Sequence, residues 1–260
     1  MKYPTNGAIV WSGNSRIDGS PIMAIVTGLR TASANPKTGD MIQTWILRSD
    51  MHPMEAIKSG SDYGICGSCV HRGRVDVFGN QIDPRTCYVN PFSFGSVFKG
   101  FKRGIYPRVA PATLRPYLTG RPIRFGSYGD PAAIPPRVWR SLRQGASGHT
   151  GYTHQWRRAG LDDGKDLFMA SCDNEQDRAD ASAAGWRTFT VVPVDAPVPT
   201  GDVRCPASEE AGKKTTCANC KLCSGSMADR ANPPRSIAIN AHGKAKKRYG
   251  AGSIELAVIQ

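Results

Sequence analysis

Pro122-Ile123-Arg124-Phe125-Gly126-Ser127, Arg137-Val138-Trp139-Arg140-Ser141-Leu142-Arg143 and His149-Thr150-Gly151-Tyr152-Thr153-His154 decide how this chain folds. In order they are a β-rich run, a helix and a second β-rich run, with the turn Gly129-Asp130-Pro131 after the first. The alternation continues with the strand Asp166-Leu167-Phe168-Met169-Ala170-Ser171 and an alanine-rich helix from Asn174 to Ala184, closed by Gly185. The strand Trp186-Arg187-Thr188-Phe189-Thr190-Val191-Val192 follows. Strands and helices joined by short links are the signature of parallel β/α units. Ser236-Ile237-Ala238-Ile239-Asn240 adds one more strand. The expected fold class is α/β, a partial or complete β/α barrel with a Cys-rich metal-binding loop insertion.

Outward from that core, residues 1–60 read as a β-rich N-terminal segment packed on the barrel. Ala8 to Trp11 and Ile22 to Thr27 form a hairpin, and Met41 to Leu47 form a third strand. His52-Pro53 to Gly60 has the proline and glycine punctuation of a short helix. Residues 61–243 are expected to hold the barrel and two cysteine clusters. The proline-interleaved run from Val192 to Val198 reads as an extended connector. Residues 244–260 are a basic tail ending in an edge strand, Ser253 to Ile259.

Seven of the eight cysteines fall into two sets. Cys205-Pro206 followed by Cys217-Ala-Asn-Cys220-Lys-Leu-Cys223 puts four thiolates in one turn-rich loop. A compact triple with a remote Cys-Pro is the spacing that wraps a 4Fe-4S cluster in ferredoxins, whereas zinc more often takes separated C-x2-C pairs. Zinc, or two disulfides stapling the loop, are the alternatives. Cys66-Gly-Ser-Cys69 and Cys87 make the second set, C-x2-C-x17-C, three thiolates that leave a coordination position open. His71 would be a fourth ligand there; as an isolated histidine among arginines it is expected at the surface. Cys172 is expected to be packing.

In β/α folds ligands meet the chain where strands end. The polar residues at those ends are Tyr128 and Asp130, then Thr153, His154 and Gln155, then Ser171 and Asp173, then Asn240 and His242. Such residues also cap helices and close turns, and that reading is preferred for Ser171-Cys172-Asp173-Asn174, where a helix begins. A role in the pocket is preferred for Asp130.

The net charge of +13, from 34 Lys and Arg against 21 acids, favours a polyanionic partner, nucleic acid first. Phe98-Lys99-Gly100-Phe101-Lys102-Arg103 interleaves aromatic with basic residues, as single-strand binders do. No apolar run of about 18 residues spans a membrane, and Met1 to Gly7 lacks a signal-peptide pattern, so the expected location is cytoplasmic. The phosphate-loop glycine spacing is missing around Ala211-Gly212-Lys213-Lys214-Thr215-Thr216, and no G-x-S-x-G or His-x-Glu deaminase pattern occurs.

Together, Cys66, Cys69 and Cys87-Tyr88-Val89-Asn90, the turn Gly129-Asp130-Pro131, the strand Tyr152-Thr153-His154, and Cys205-Pro206 leading into Cys217, Cys220 and Cys223 resemble uncharacterised bacteriophage cysteine-rich proteins with a radical-SAM-like barrel. The resemblance covers roughly residues 64–243. It implies an iron-sulfur enzyme with one or two 4Fe-4S clusters, held by Cys66, Cys69 and Cys87 and by Cys205, Cys217, Cys220 and Cys223. It further implies S-adenosylmethionine as cofactor, with Gly129 and Asp130 approaching its amine and Asp130, Tyr152, His154 and Gln155 lining the substrate pocket. Radical-SAM enzymes generally use C-x3-C-x2-C in one loop, and this chain departs from that spacing. The competing expectation is a zinc-stabilised nucleic-acid-binding protein of phage replication or host takeover.

Overall fold

The computed structural model describes residues 5–33, 35–76, 78–226, 234–243 and 246–249. The strands are β1 (Gly7–Asn14), β2 (Pro21–Thr27), β3 (Ile42–Arg48), β4 (Arg74–Val75), β5 (Gln81–Asp83), β6 (Ile123–Tyr128), β7 (His149–Thr153), β8 (Met169–Cys172), β9 (Thr188–Val192), β10 (Val203–Arg204) and β11 (Ile237–Asn240). The α-helices are α1 (Pro53–Ser59), α2 (Tyr63–Cys66), α3 (Pro91–Lys102), α4 (Arg115–Leu118), α5 (Pro136–Arg143), α6 (Glu175–Ala183) and α7 (Cys217–Cys220).

Nine strands form one sheet in the order β1-β2-β3-β6-β7-β8-β9-β11-β10. β2 is antiparallel to β1 and β3, and every neighbouring pair from β3 to β10 is parallel. The fold is mixed α/β, dominated by a mostly parallel sheet. No ladder joins β1 to β10 among the described residues.

The N-terminal residues are part of this sheet rather than a segment packed on it, because β3 pairs directly with β6, Ile42 opposite Ile123. An unpaired β3 edge would leave a row of backbone donors open, and β6 satisfies it. The register shifts between Gln43 and Trp45. There the Thr44 hydroxyl donates to Arg124 O (2.9 Å) and accepts from Gly126 N (2.8 Å), replacing the interrupted ladder and fixing the backbone on both sides of Phe125.

β8 starts three residues later than expected, at Met169, because Leu167 N and Phe168 N fold back onto Gly164 O. α5 buries Val138, Trp139 and Leu142, with the Trp139 indole donating to Pro131 O at 2.8 Å. Trp139 is fully buried, so truncation to alanine would cost about 3–5 kcal/mol.

α3 was not anticipated, and it revises the reading of the basic aromatic stretch. Asn90 caps its N-terminus through Phe92 N (3.0 Å), and Phe94, Val97 and Phe98 turn inward at helical spacing. Phe98 is buried and Phe101 packs on the same core, so neither ring is free to stack on a base. The expected edge strand from Ser253 to Ile259 lies outside the described residues. No helix among the described residues is long and apolar enough to cross a membrane.

β7 opens on His149, buried and with Nε2 3.0 Å from Leu167 O. Burial, reinforced by Arg143, pushes its pKa from 6.5 down to about 4. A histidine held neutral in the fold stabilises fully above 6.5, and that contribution is lost as pH falls towards 4, because the unfolded chain takes up the proton first. Urea unfolding at pH 6.5 and pH 4 is therefore expected to show roughly 3 kcal/mol of acid destabilisation from this site. His149→Gln should flatten that dependence; an unchanged pH slope in the variant would refute the assignment.

Candidate functional site

All seven cysteines of the two predicted sets line one cavity of about 410 Å³, and Cys172 does not. None of the eight is in a disulfide. The cavity takes alternate residues from neighbouring parallel strands, including Arg124 and Gly126 on β6, Thr150 and Tyr152 on β7, and Phe189 and Val191 on β9.

The three-cysteine set lies beyond the carboxyl ends of β6, β7 and β8. Cys66 ends α2, and Gly67, with φ +54, lets Cys69 N turn back onto Cys66 O (3.2 Å). Cys87 is distant in sequence yet local in space, because β4 and β5 form an antiparallel ribbon that carries the chain out and back. The neck of that ribbon closes on the His71 carbonyl, which accepts from both Thr86 N (3.1 Å) and Cys87 N (2.9 Å). Gly73, at φ +75, permits the approach: a Cβ there would lie 2.9 Å from Arg85 N and from Asp83 O.

The four-cysteine set straps the sheet from one side to the other. Cys205 N bonds Ala238 O on β11 (2.8 Å), Cys223 O accepts from Gly151 N on β7 (3.1 Å), and Cys217 N and Ala218 N bond the carbonyls of Lys37 and Thr38, ahead of β3 (3.0 and 2.9 Å). These last two bonds satisfy the first N–H groups of α7, which would otherwise be orphaned.

Thiol electrostatics divide the residues sharply. Burial pushes up the pKa values of Cys66, Cys87, Cys205 and Cys220, and that of Cys223 to about 12. Cys66 feels Cys69 and Cys87, while Cys223 feels Cys205, Cys217 and Cys220, so each set is mutually coupled. Cys69 is the exception: burial opposes its ionisation, but the adjacent His154 and His71 outweigh it and lower its pKa.

The four predicted pocket residues separate into two kinds. His154 stands against Cys69 and Tyr152 against Cys223, one for each set, and each favours the ionised sulfur beside it. Asp130, which also lines the cavity, and Gln155, which does not, brace the cysteine turn. Asp130 accepts from Ala132 N (2.9 Å), His154 N (2.8 Å) and Gln155 Nε2 (3.2 Å), and its own N–H bonds Ile65 O (2.6 Å). Gln155 Nε2 also reaches Cys66 O at 3.2 Å. Burial raises the Asp130 pKa in spite of these donors. Gly129, at φ +82, sits where a Cβ would be 2.7 Å from Ile46 Cβ.

Several residues were missed or misjudged from sequence. His71 is not a bare surface residue: its Nε2 lies 3.1 Å from Asp173 Oδ1, while His154 Nε2 lies 3.1 Å from Oδ2 of the same carboxylate. Asn174 does cap α6, but Asp173 beside it is an ion-pair hub, and Tyr249 adds its hydroxyl at 3.3 Å. Burial works against both charges, yet His154 and His71 hold the Asp173 pKa far below its usual range, and Cys69 and Asp173 hold that of His154 well above 6.5. His71, His154 and Asp173 also offer ligand atoms within 4.8 Å of one another, and no three cysteine sulfurs are grouped that closely among the described residues.

Two arginines, half-buried Arg85 and buried Arg124, equally unforeseen, stand beside the cysteines. Arg85 is coupled to Cys87 and Cys66, and its NH1 and NH2 have no hydrogen-bond partner. Arg124 faces the four-cysteine set. Comparison with protein-family models, curated proteins and solved structures returns no match.

Gly73→Ala should open the ribbon neck. Its φ and the close approach to Arg85 make a loss of about 1–3 kcal/mol the expected outcome. Iodoacetamide labelling with peptide mapping is expected to show Cys87 alkylated severalfold faster than in wild type. Unchanged Cys87 protection would mean that the neck does not hold this cysteine in place.

Proposed function

We propose that the chain is an iron-sulfur protein of the radical-SAM-like kind, on a partial β/α barrel, with one centre at Cys66, Cys69 and Cys87 and another at Cys205, Cys217, Cys220 and Cys223. The observation that carries this reading is the convergence of three and four thiols, distant in sequence, on one cavity. The lining contributed by successive parallel strands supports the partial barrel.

The donor set favours iron-sulfur over zinc. Tetrahedral zinc, with Zn–S bonds of about 2.3 Å, gathers its sulfurs within about 4 Å of one another, closer than any three cysteine sulfurs here. A cluster interposes inorganic iron and sulfide between its thiolates and needs a wider cage. The guanidinium of Arg85, close to Cys66 and Cys87 and paired only at 3.9 Å with Asp62, suits a centre of net negative charge. Cys66, Cys69 and Cys87 would hold a cluster with a coordination position left free, and such a centre would supply one electron to S-adenosylmethionine.

The protein's own residues would prepare that chemistry. His154 would hold the Cys69 thiolate by hydrogen bond, Asp173 would fix both His154 and His71, and Asp130 with Gln155 would keep the Cys66–Cys69 turn in register with β6 and β7. Hydrogen bonds to ligand sulfur are a recognised means of tuning a cluster.

Anaerobic reconstitution should give a brown protein with labile sulfide and about eight irons per chain, two clusters of four. Replacing Cys66, Cys69 and Cys87 with alanine should halve both, and so should replacing the other four. A colourless protein with stoichiometric zinc and no sulfide would overturn the proposal.

A further inference from the structure

Arg124 is 8% exposed, on the second residue of β6, with its side chain lining the cavity. A guanidinium carries five donors. Here NH2 donates to the Tyr88 hydroxyl at 2.6 Å, and no other side-chain hydrogen bond and no carboxylate within 4.0 Å engages it among the described residues. Other arginines have carboxylate partners, as Arg16 does in Asp163 and Arg140 in Asp166. Burying a cation without an anion is costly unless a ligand completes the pair.

The surroundings of Arg124 have the shape of a binding site. The Tyr152 ring lies 5.4 Å from its guanidinium carbon and packs on Phe189 at 4.3 Å. The Tyr88 ring meets His242 at 4.5 Å, and Lys37 Nζ reaches His242 Nε2 at 3.2 Å, which puts a second cation on the same wall. Aromatic walls around a fixed guanidinium suit a compact molecule with a planar body and an anionic end. The cavity has the size of a small-molecule site and is too small for duplex nucleic acid.

We propose that Arg124, backed by Lys37, binds the carboxylate or phosphate of a small planar substrate, held between the two cysteine sets. The name substrate rests on the cavity being the reaction site of the iron-sulfur reading; the anion site itself does not. The alternative role for Arg124 is counter-ion to the thiolates of Cys217 and Cys223, to which it is coupled.

Benzoate, phenyl phosphate and neutral benzamide, titrated calorimetrically into the full chain, separate these roles. Wild type should bind the two anions at least about tenfold more tightly than benzamide, and the tighter anion names the oxyanion class. Arg124→Gln should abolish that preference with iron, sulfide and melting temperature unchanged. Equal binding of charged and neutral probes by wild type overturns the proposal. So does an Arg124→Gln protein that loses iron and sulfide yet keeps the anion preference. Should that variant fail to fold, Arg124→Lys keeps the charge without the planar fork and should bind the anions severalfold more weakly; undiminished affinity refutes the pairing. A zinc protein that still discriminates through Arg124 would keep this site and remove the clusters, and a clustered protein without discrimination would do the reverse.

Discussion

The cost of burying sulfur as an anion governs the interior of this protein. A thiolate withdrawn from water needs a compensating positive charge, and burial drives most of the seven cavity thiols toward their neutral form. Four buried or half-buried cationic side chains answer that demand around the same space: Arg85, Arg124, Lys37 and His154. Cys69, beside His154 and His71, has its acidity raised by protein alone. For Cys66, Cys87, Cys205, Cys220 and Cys223, the metal centres proposed above would be the agent able to deprotonate several neighbouring thiols together.

The β/α part of the fold was legible because its signals are local. β6, α5, β7, α6 and β9 lie close to where apolar runs, Asn174 and Gly185 placed them. What was not legible depends on partners far along the chain. β3 alternates buried and half-buried positions as a hairpin strand would, and nothing within it announces a parallel partner some eighty residues on. α3 was obscured because its glycines at 95 and 100 and its basic residues hid an inward stripe of Phe94, Val97 and Phe98.

The site was legible in its sulfurs and much less so in what surrounds them. Cysteine spacing is a covalent pattern and survives inspection by eye, whereas Asp173 looks like the entrance of a helix and carries a second task. Gly73 was the available clue that the distant Cys87 belongs with Cys66 and Cys69, since a left-handed glycine facing backbone marks a pinched loop. Arg124 could not be found from pattern alone. An arginine in an otherwise apolar strand reads as an outward residue until the neighbouring strands show it facing a cavity.

The charge excess and the cavity bear on different partners. Arg48, Arg121, Arg157 and Arg178 are each paired with acids, and exposed ion pairs of that kind add little energy. With Phe98 in the core, the basic α3 surface retains charge without a stacking ring at that position. The inward cations, by contrast, sit where the dielectric is low and each interaction is strong. Four thiolates would saturate a four-iron cluster and three would not, so the two centres would be unequal: one closed and suited to passing electrons, the other with an iron open to a ligand. A substrate anchored through its anion at Arg124, near the closed centre, would extend its other end toward the open one. On that reading, the asymmetry of three against four thiols would set a direction for chemistry along the cavity, through ligand count and the place of one guanidinium.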